Sequence, residues 1–319
     1  MTSDTHMLLG RTANGLFWMH RYIERAENMA RLVDAGLRMA LTKASGAPEE
    51  WSSVLMSAGA DDGFRAKYDE YSAETVADFM LRDVTNPSSV VSCINMGRTN
   101  ARMVRTALTR ETWESVNEAW MNLRALLSAP LMRSEMPAAL DKIKRETALI
   151  RGAFVGTMLR SENYYFSLLG TYIERADNTA RIVDVKYYVL LPSMSYVGSS
   201  MDNYQWESLL RSVSAHRSYR WVYDAEYKPS NVTDYLILNR RMPRSLAFCC
   251  RNIADNLGRL ADDYGARAEP HELADATLKT LQNRTVNQII DAGLHEFLQQ
   301  FIVQNNRLGS SIAETYNFN

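Results

Sequence analysis

Glutamate, arginine and asparagine recur at the same spacing in two places of this sequence, and they are the residues best suited to chemistry. Two nearby carboxylates can share a proton and acquire split pKa values, an arrangement that general acid–base catalysis uses. Planar guanidinium groups bind carboxylate and phosphate groups bidentately. The candidate catalytic residues are therefore Glu24 and Glu174, and the candidate binding residues beside them are Arg25, Asn28, Arg31, Arg175, Asn178 and Arg181.

Both sets belong to a stretch that occurs twice, as residues 22–34 and again as residues 172–184, with ten of the thirteen positions identical. At about 100° per residue, Glu24, Asn28 and Arg31 share one side of a helix, and the apolar residues spread over the opposite side. The pattern is typical of a solvated helix face with salt bridges. It is equally typical of a buried Glu–Arg–Asn network between two facing helices, in which each charge needs a partner.

Long helices must position these residues. The chain contains only eight prolines and fifteen glycines, which favours long helices over a β fold with many turns. We predict one long helix that begins between Thr5 and Thr12 and ends near Ala44, and a second over residues 158–191.

The motifs that follow the first long helix return in the same order after the second. Matching pairs are Trp51 with Trp206, Pro87 with Pro243, and Ser89 with Ser245, at offsets between 150 and 156. We therefore predict an all-α fold, built as a pseudo-twofold tandem duplication of a helical-bundle unit of roughly 150 residues. The predicted repeats cover residues 1–152 and 153–319 and pack as one compact body.

A further basic feature lies on a helix predicted over residues 88–108. Arg98 and Arg102 are four residues apart and so share one face, while Asn100 lies off it. We include all three as candidate binding residues. Pairing with carboxylates of the repeated stretch, or plain solvation, would account for the arginines without a function; anion recognition is the functional alternative.

Composition limits the classes of protein. Hydrophobic residues make up 46% and charged residues 23% of the 319 residues, and the formal net charge is −1. These values match a globular protein and provide no electrostatic reason to predict binding to nucleic acid or to a membrane. No stretch approaches the ~18 consecutive apolar residues of a membrane-spanning helix. Three cysteines without a secretory signal favour reduced thiols in the cytoplasm.

Several chemistries lack their motifs. None of the five histidines follows a glutamate by three residues, as the di-iron helical bundles require, and arginines within the acidic stripes would repel a cation. Glycine-rich phosphate loops are absent. Cys93 and Cys249 occupy apolar helices, where cysteine usually packs as a small hydrophobic residue. We therefore predict no metal and no cofactor.

Several separated motifs, in this order, resemble the bacterial Alpha-E family, an all-helical domain of unknown function named for its Glu-Arg motif. The motifs are Leu8-Leu-Gly-Arg, Leu16-Phe-Trp, Arg21-Tyr-Ile-Glu-Arg-Ala-Glu-Asn, Asn86-Pro-Ser-Ser, Arg98-Thr-Asn-Ala-Arg and Pro243-Arg-Ser. The resemblance covers essentially the whole chain. It departs from the family at His20, where glycine is usual.

The resemblance implies partners more than an activity. Alpha-E proteins typically accompany a circularly permuted ATP-grasp protein, a transglutaminase-like protease and sometimes a proteasome-like peptidase. The leading hypothesis is accordingly a helical partner of an ATP-grasp peptide or amide ligase, which binds the ligase, a peptide or an anionic intermediate through the Glu-Arg-Asn cluster. The alternative is an enzyme that acts on peptide or amide bonds through Glu24 and Glu174.

Overall fold

A computed structural model describes the chain at residues 8–40, 48–190, 200–223 and 227–318. Within these ranges every regular element is a helix, so the predicted all-α class is confirmed. The α-helices are α1 (Gly10–Ala40), α2 (Pro48–Ala58), α3 (Asp61–Arg65), α4 (Ala73–Ala77), α5 (Val90–Met103), α6 (Arg110–Leu126), α7 (Met136–Thr157), α8 (Glu162–Leu190), α9 (Ser200–Ser212), α10 (His216–Tyr223), α11 (Pro229–Ile237), α12 (Leu246–Tyr264), α13 (Glu269–Asn283), α14 (Val286–Asp291) and α15 (Leu294–Thr315). A π-helical turn spans Asp78–Arg82, and a 3-10 turn spans Arg105–Ala107.

The two longest helices, α1 and α8, carry the repeated stretch and form the most extensive helix–helix contact of the described chain. The start of α1 lies in the predicted range, and its predicted end near Ala44 lies outside the described residues. α8 begins at Glu162 rather than at residue 158, because α7 continues to Thr157. The predicted boundary at residue 152 therefore lies inside α7. The duplication itself stays a prediction.

α1 and α8 lie side by side and run in the same direction. The Leu8 backbone N–H donates to Glu162 near the start of both helices, and the Asn28 amide donates to the Glu174 carbonyl further along. Gly170 allows the closest approach, since a Cβ there would clash with the carbonyl oxygen of Phe17. His20 corresponds to Gly170 in the first copy, so the glycine that this chain lacks at residue 20 is present in α8.

The helices around this central pair are arranged alike on both sides. α5 and α7 pack on α1, and α12 and α15 pack on α8. α2 also crosses to α8, and α9 crosses to α1. Each half of the chain thus places a helix against the central helix of the other half.

Equivalent serines cap the two flanking helices. Ser89 accepts a hydrogen bond from the Ser92 backbone N–H at the start of α5, and Ser245 accepts one from the Phe248 backbone N–H at the start of α12. Such caps satisfy backbone donors that have no partner within the helix. The predicted helix over residues 88–108 is shorter in the structure because it ends at Met103 and gives way to the 3-10 turn. None of the described helices has the length and apolar character needed to cross a membrane.

Candidate binding site

The predicted catalytic glutamates meet arginines of the opposite copy. Arg25 donates from Nε and Nη2 to the two carboxylate oxygens of Glu174, at 2.6 and 2.8 Å. Arg175 donates in the same way to Glu24, at 2.9 and 3.0 Å. Because Glu24 is 1% exposed and Glu174 4%, the repeated stretch forms a buried network between two facing helices and is not a solvated face.

The second arginine of each copy also crosses between the halves. Arg31 Nη1 donates to the Ser212 carbonyl at 2.5 Å, and Arg181 Nη1 donates to the Ser57 carbonyl at 2.9 Å. Each of these arginines also pairs with the carboxylate four residues earlier on its own helix, which is Glu27 for Arg31 and Asp177 for Arg181. Such i, i+4 pairs are favourable on a helix.

Around Glu24 the network is closed by two more arginines. Arg244, the residue before the N-cap of α12, donates to Glu24 Oε1 at 2.9 Å and also to Glu27. Arg151 of α7 contacts both carboxylates, and Thr147 donates to Glu27 Oε2 at 2.8 Å. Glu24 and Glu27 are thus buried with a hydrogen-bond donor at every carboxylate oxygen.

The arginines hold these carboxylates in the ionised form. Burial alone would raise the pKa of Glu24, but Arg175, Arg244 and Arg151 outweigh it and lower that pKa to about 2. Burial opposes Arg25 and Arg21 at Glu174 in the same way, and its pKa is also lowered. The structure therefore provides no proton shared by Glu24 and Glu174, because each carboxylate is neutralised by its own arginines.

Around Glu174 the network opens into a cavity of about 190 Å³. Arg21 of α1 donates to Glu174 Oε2 at 3.0 Å, as a second partner beside Arg25. Ser88, the residue before the N-cap of α5, lines the cavity together with Asp177 and Arg181. The two glutamates of the repeated stretch thus have unlike surroundings, one closed and one facing open space.

Two asparagines bring unpartnered polar atoms to this cavity. Asn178 is 2% exposed, and neither its side-chain oxygen nor its nitrogen has a hydrogen-bond partner among the described residues. Asn28 uses its nitrogen on the Glu174 carbonyl, while its buried side-chain oxygen lacks a partner within the same residues. A buried polar atom without a partner costs free energy, so both asparagines are suited to meet a ligand.

A wider groove of about 740 Å³ adjoins the cavity, since Arg25 and Ser88 line both. Its other walls include the apolar side chains of Val84, Val91 and Met96. The cavity therefore has an adjoining surface on which a larger molecule could lie.

The remaining predicted binding residues lie elsewhere. Arg98 donates from Nε to Asn117 at 2.8 Å, and its guanidinium lies 4.1 Å from the Trp120 ring centroid. Asn100 is buried and donates to the Met96 carbonyl, whereas Arg102 is exposed. The structure thus explains Arg98 by packing on α6, and it does not bring these three residues into the Glu–Arg network.

Sequence reasoning missed several members of the network. Glu27 and Asp177 lie within the repeated stretch, and their positions on its polar face were a usable signal. Arg244 stands in a basic run with Arg240 and Arg241, but those two are exposed and only Arg244 turns inward. Arg21 and Arg151 carry no such signal, because their role depends on which helices pack together.

One histidine and two cysteines near the network are neutral. Burial lowers the pKa of His20 to about 3, and its ring packs 4.3 Å from that of Phe154. Burial also raises the pKa of Cys93 and of Cys249 to about 12, which keeps both as unreactive thiols. Across the described ranges, no cluster of three or more His, Cys, Asp or Glu residues could hold a metal ion.

Fold and site together define an all-helical protein whose two central helices carry the same Glu-Arg motif and exchange ion pairs through it. The Alpha-E family model, described as a predicted alpha-helical domain with a conserved ER motif, matches residues 8–317. The chain belongs to this family.

Two curated relatives are an uncharacterized protein of Mycobacterium bovis and an uncharacterized protein of Mycobacterium tuberculosis. Each is 23% identical to this chain over 322 residues, in an alignment that covers 91% of this chain and 36% of the relative. The chain thus spans about a third of the length of the curated relatives it matches. No solved structure matches it.

Proposed function

We propose that this protein is a binding partner of an ATP-grasp peptide or amide ligase. It holds a peptide or an intermediate of the ligase in the open half of the Glu–Arg network, which is the part around Glu174 and Asp177, whereas the closed half is the part around Glu24 and Glu27. The observation that carries the proposal is the cavity beside Glu174, where the buried amide of Asn178 has no partner among the described residues. The ligase itself, and a transglutaminase-like protease as a further partner, come from the family resemblance, and the three sparse cysteines favour the cytoplasm.

Two observations support a binding role over catalysis. A carboxylate whose pKa is about 2, as for Glu24, is a weak base at neutral pH and cannot act there as a general acid. Glu24 also lies in the closed half, away from the cavity. The alternative, an enzyme that uses Glu24 and Glu174 as an acid–base pair, therefore has less support than a binding protein.

The proposal extends to the origin of the site. The reciprocal pairs of Arg25 with Glu174 and of Arg175 with Glu24 support a pseudo-twofold tandem duplication. After such a duplication, divergence of the two repeats would leave the network closed around Glu24 and open to a ligand around Glu174. The mycobacterial relatives carry most of their length outside the matched segment, which supports an Alpha-E unit that works beside other protein segments.

The test is capture of the ATP-grasp protein encoded by the same organism, co-expressed with tagged wild-type chain or with Asn178→Leu. We expect the wild type to retain the ligase in fixed stoichiometry. The variant should fold normally, since Asn178 makes no hydrogen bond to described residues, and should lose the ligase or its ligase-dependent product. Asn287→Leu, at an exposed position of α14, is the matched control. Absence of the ligase from the wild-type sample would refute the proposed partnership.

A further inference from the structure

We propose that the cavity beside Glu174 and Asp177 binds a guanidinium group, supplied by an arginine side chain of a peptide. The inference deepens the proposed function, on which it rests, because it names the chemical group that the same site accepts.

The halves differ by one arginine. Glu24 and Glu27 are paired with four arginines, which are Arg31, Arg151, Arg175 and Arg244. Within the described part of the chain, Glu174 and Asp177 are paired with three, which are Arg21, Arg25 and Arg181. The open half therefore has two carboxylates at the equivalent positions, with Asp177 in place of a glutamate, and one guanidinium fewer.

Each of the three arginines in the open half has a counterpart in the closed half. Arg25 and Arg181 correspond to Arg175 and Arg31 through the repeated stretch. Arg21 takes the role of Arg151. The helices α7 and α15 have 22 residues each, and an end-to-end alignment of the two helices places Gly309 of α15 at the position of Arg151 in α7. Arg21 fills the space above that glycine, since its Nη1 lies 3.5 Å from where a Cβ would stand.

Arg244 is the arginine of the closed half that has no counterpart in the open half. It precedes the N-cap Ser245 of α12, just as Ser88 precedes the N-cap Ser89 of α5. In the closed half Arg244 bridges the two carboxylates Glu24 and Glu27. In the open half Ser88 lines the cavity beside Glu174 and Asp177. A bound guanidinium would bridge these carboxylates as Arg244 bridges theirs.

Two of the three unpartnered amide atoms at the cavity are acceptors. These are the side-chain oxygens of Asn28 and Asn178, whereas the Asn178 nitrogen is a donor, and Asp177 pairs with only one arginine of the described chain. Guanidinium has five N–H donors in a planar fork and no acceptor. A carboxylate or phosphate ligand would meet the carboxylates of Glu174 and Asp177 as well as the arginines of the same lining, and those arginines are already paired with these carboxylates.

The adjoining groove explains why the guanidinium would arrive on a peptide. The groove shares Arg25 and Ser88 with the cavity and offers apolar side chains of Val84, Val91 and Met96. An arginine side chain entering past Ser88 would leave the flanking residues of its peptide over this surface. Free guanidinium compounds would use the cavity alone.

The test is calorimetric titration of the purified chain at constant ionic strength with a capped Gly-Arg-Gly peptide and with the same peptide carrying neutral, nearly isosteric citrulline. Because hydrogen bonds to charged groups are the strong ones, we expect the arginine peptide to bind roughly ten- to hundredfold more tightly. Methylguanidinium should bind more weakly than the arginine peptide. Equal affinity of the arginine and citrulline peptides would overturn the inference, and so would binding of acetate or phosphate in place of methylguanidinium.

A substitution provides the second arm. Ser88→Arg places a guanidinium where Arg244 stands in the other half, and it should abolish binding of the arginine peptide and of methylguanidinium. Ser134→Arg adds the same charge at an exposed turn and should leave binding intact. Unchanged binding to Ser88→Arg would overturn the assignment of the cavity; if that variant fails to fold, the citrulline comparison on the wild type still decides.

These outcomes are separable from those of the proposed partnership. Peptide binding without capture of the ATP-grasp protein would support the guanidinium site and refute that partner. Capture of the ligase without any preference for arginine over citrulline would refute the guanidinium site alone.

Discussion

Replacing Glu24 by glutamine tests whether the closed half is structural. Glu24 accepts hydrogen bonds from Arg175 and Arg244 at 2.9 Å and from Arg151 at 3.3 Å. The neutral amide would leave these buried guanidinium groups without their countercharge and would direct an NH₂ group at one of them. Removing one partner of a buried ion pair costs about 3–5 kcal/mol.

The same cost can be expressed as a melting temperature. With an unfolding entropy of about 2.1 cal/mol/K per residue and 319 residues, a loss of about 3–5 kcal/mol lowers Tm by about 4–8 °C. Glu174→Gln should cost less, because Glu174 is paired with two arginines, Arg25 and Arg21. Urea unfolding followed by circular dichroism measures both variants against the wild type.

Glu114→Gln is the matched control for this experiment. Glu114 pairs with Arg110 on the surface of α6, where both side chains are more than half exposed, and surface pairs contribute little to stability. We expect its urea midpoint to equal that of the wild type. If Glu24→Gln were as stable as Glu114→Gln, the closed half would not be a paired buried network, and the acid–base alternative would regain support.

Three further predictions follow from buried groups. Burial lowers the pKa of His20 from 6.5 to about 3. The contribution of His20 to stability is therefore complete above pH 6.5 and is lost as pH falls towards 3, with a slope of at most about 1.4 kcal/mol per pH unit. His20→Phe should flatten the profile of unfolding free energy between pH 6.5 and 5, and an unchanged slope would refute this origin. Gly170→Ala should cost at least about 1–3 kcal/mol in urea unfolding through overpacking against the α1 backbone, whereas Gly152→Ala, which has open space around it in α7, should be neutral or stabilising; equal effects would contradict the close helix contact. The three buried cysteines, all with pKa values raised by burial, should resist Ellman's reagent in the native protein and react together on unfolding; rapid labelling of any of them in the native state would disprove their burial.

The fold class and the central helices were predictable because their signals are local. Helical periodicity and a repeated motif of thirteen residues can be recognised without knowing which helices pack together. The repetition of polar residues at Glu24, Asn28 and Arg31 also indicated more than a solvated face, and the structure confirms the buried alternative.

The composition of the network was only partly predictable because it depends on long-range packing. Arg244 reaches Glu24 over 220 positions in the sequence, and no spacing rule relates the two residues. Arg98 shows the same limit: its spacing with Arg102 allowed pairing, solvation or an anion site, and the structure places its guanidinium on Trp120 as a cation–π contact. Helical periodicity assigns a face but does not identify the partner of that face.

The asymmetry of the site lay partly within reach of the sequence. Pro87 and Ser89 align with Pro243 and Ser245, so Ser88 and Arg244 stand at the same place in the two halves. That difference became informative only when the structure showed Arg244 turned inward onto two carboxylates and a cavity beside Ser88.

The crossed pairs between α1 and α8 also set the register of these two helices. Their buried surfaces contain small side chains such as Ala26, Ala30, Ala176 and Ala180, which oppose sliding less than large interlocking side chains do. A shift of one helical turn, about 5.4 Å, would separate Arg25 from Glu174 and Arg175 from Glu24 together and leave buried charges unpaired. The crossed ion pairs therefore select one register of α1 and α8, and the cavity beside Glu174 belongs to that register.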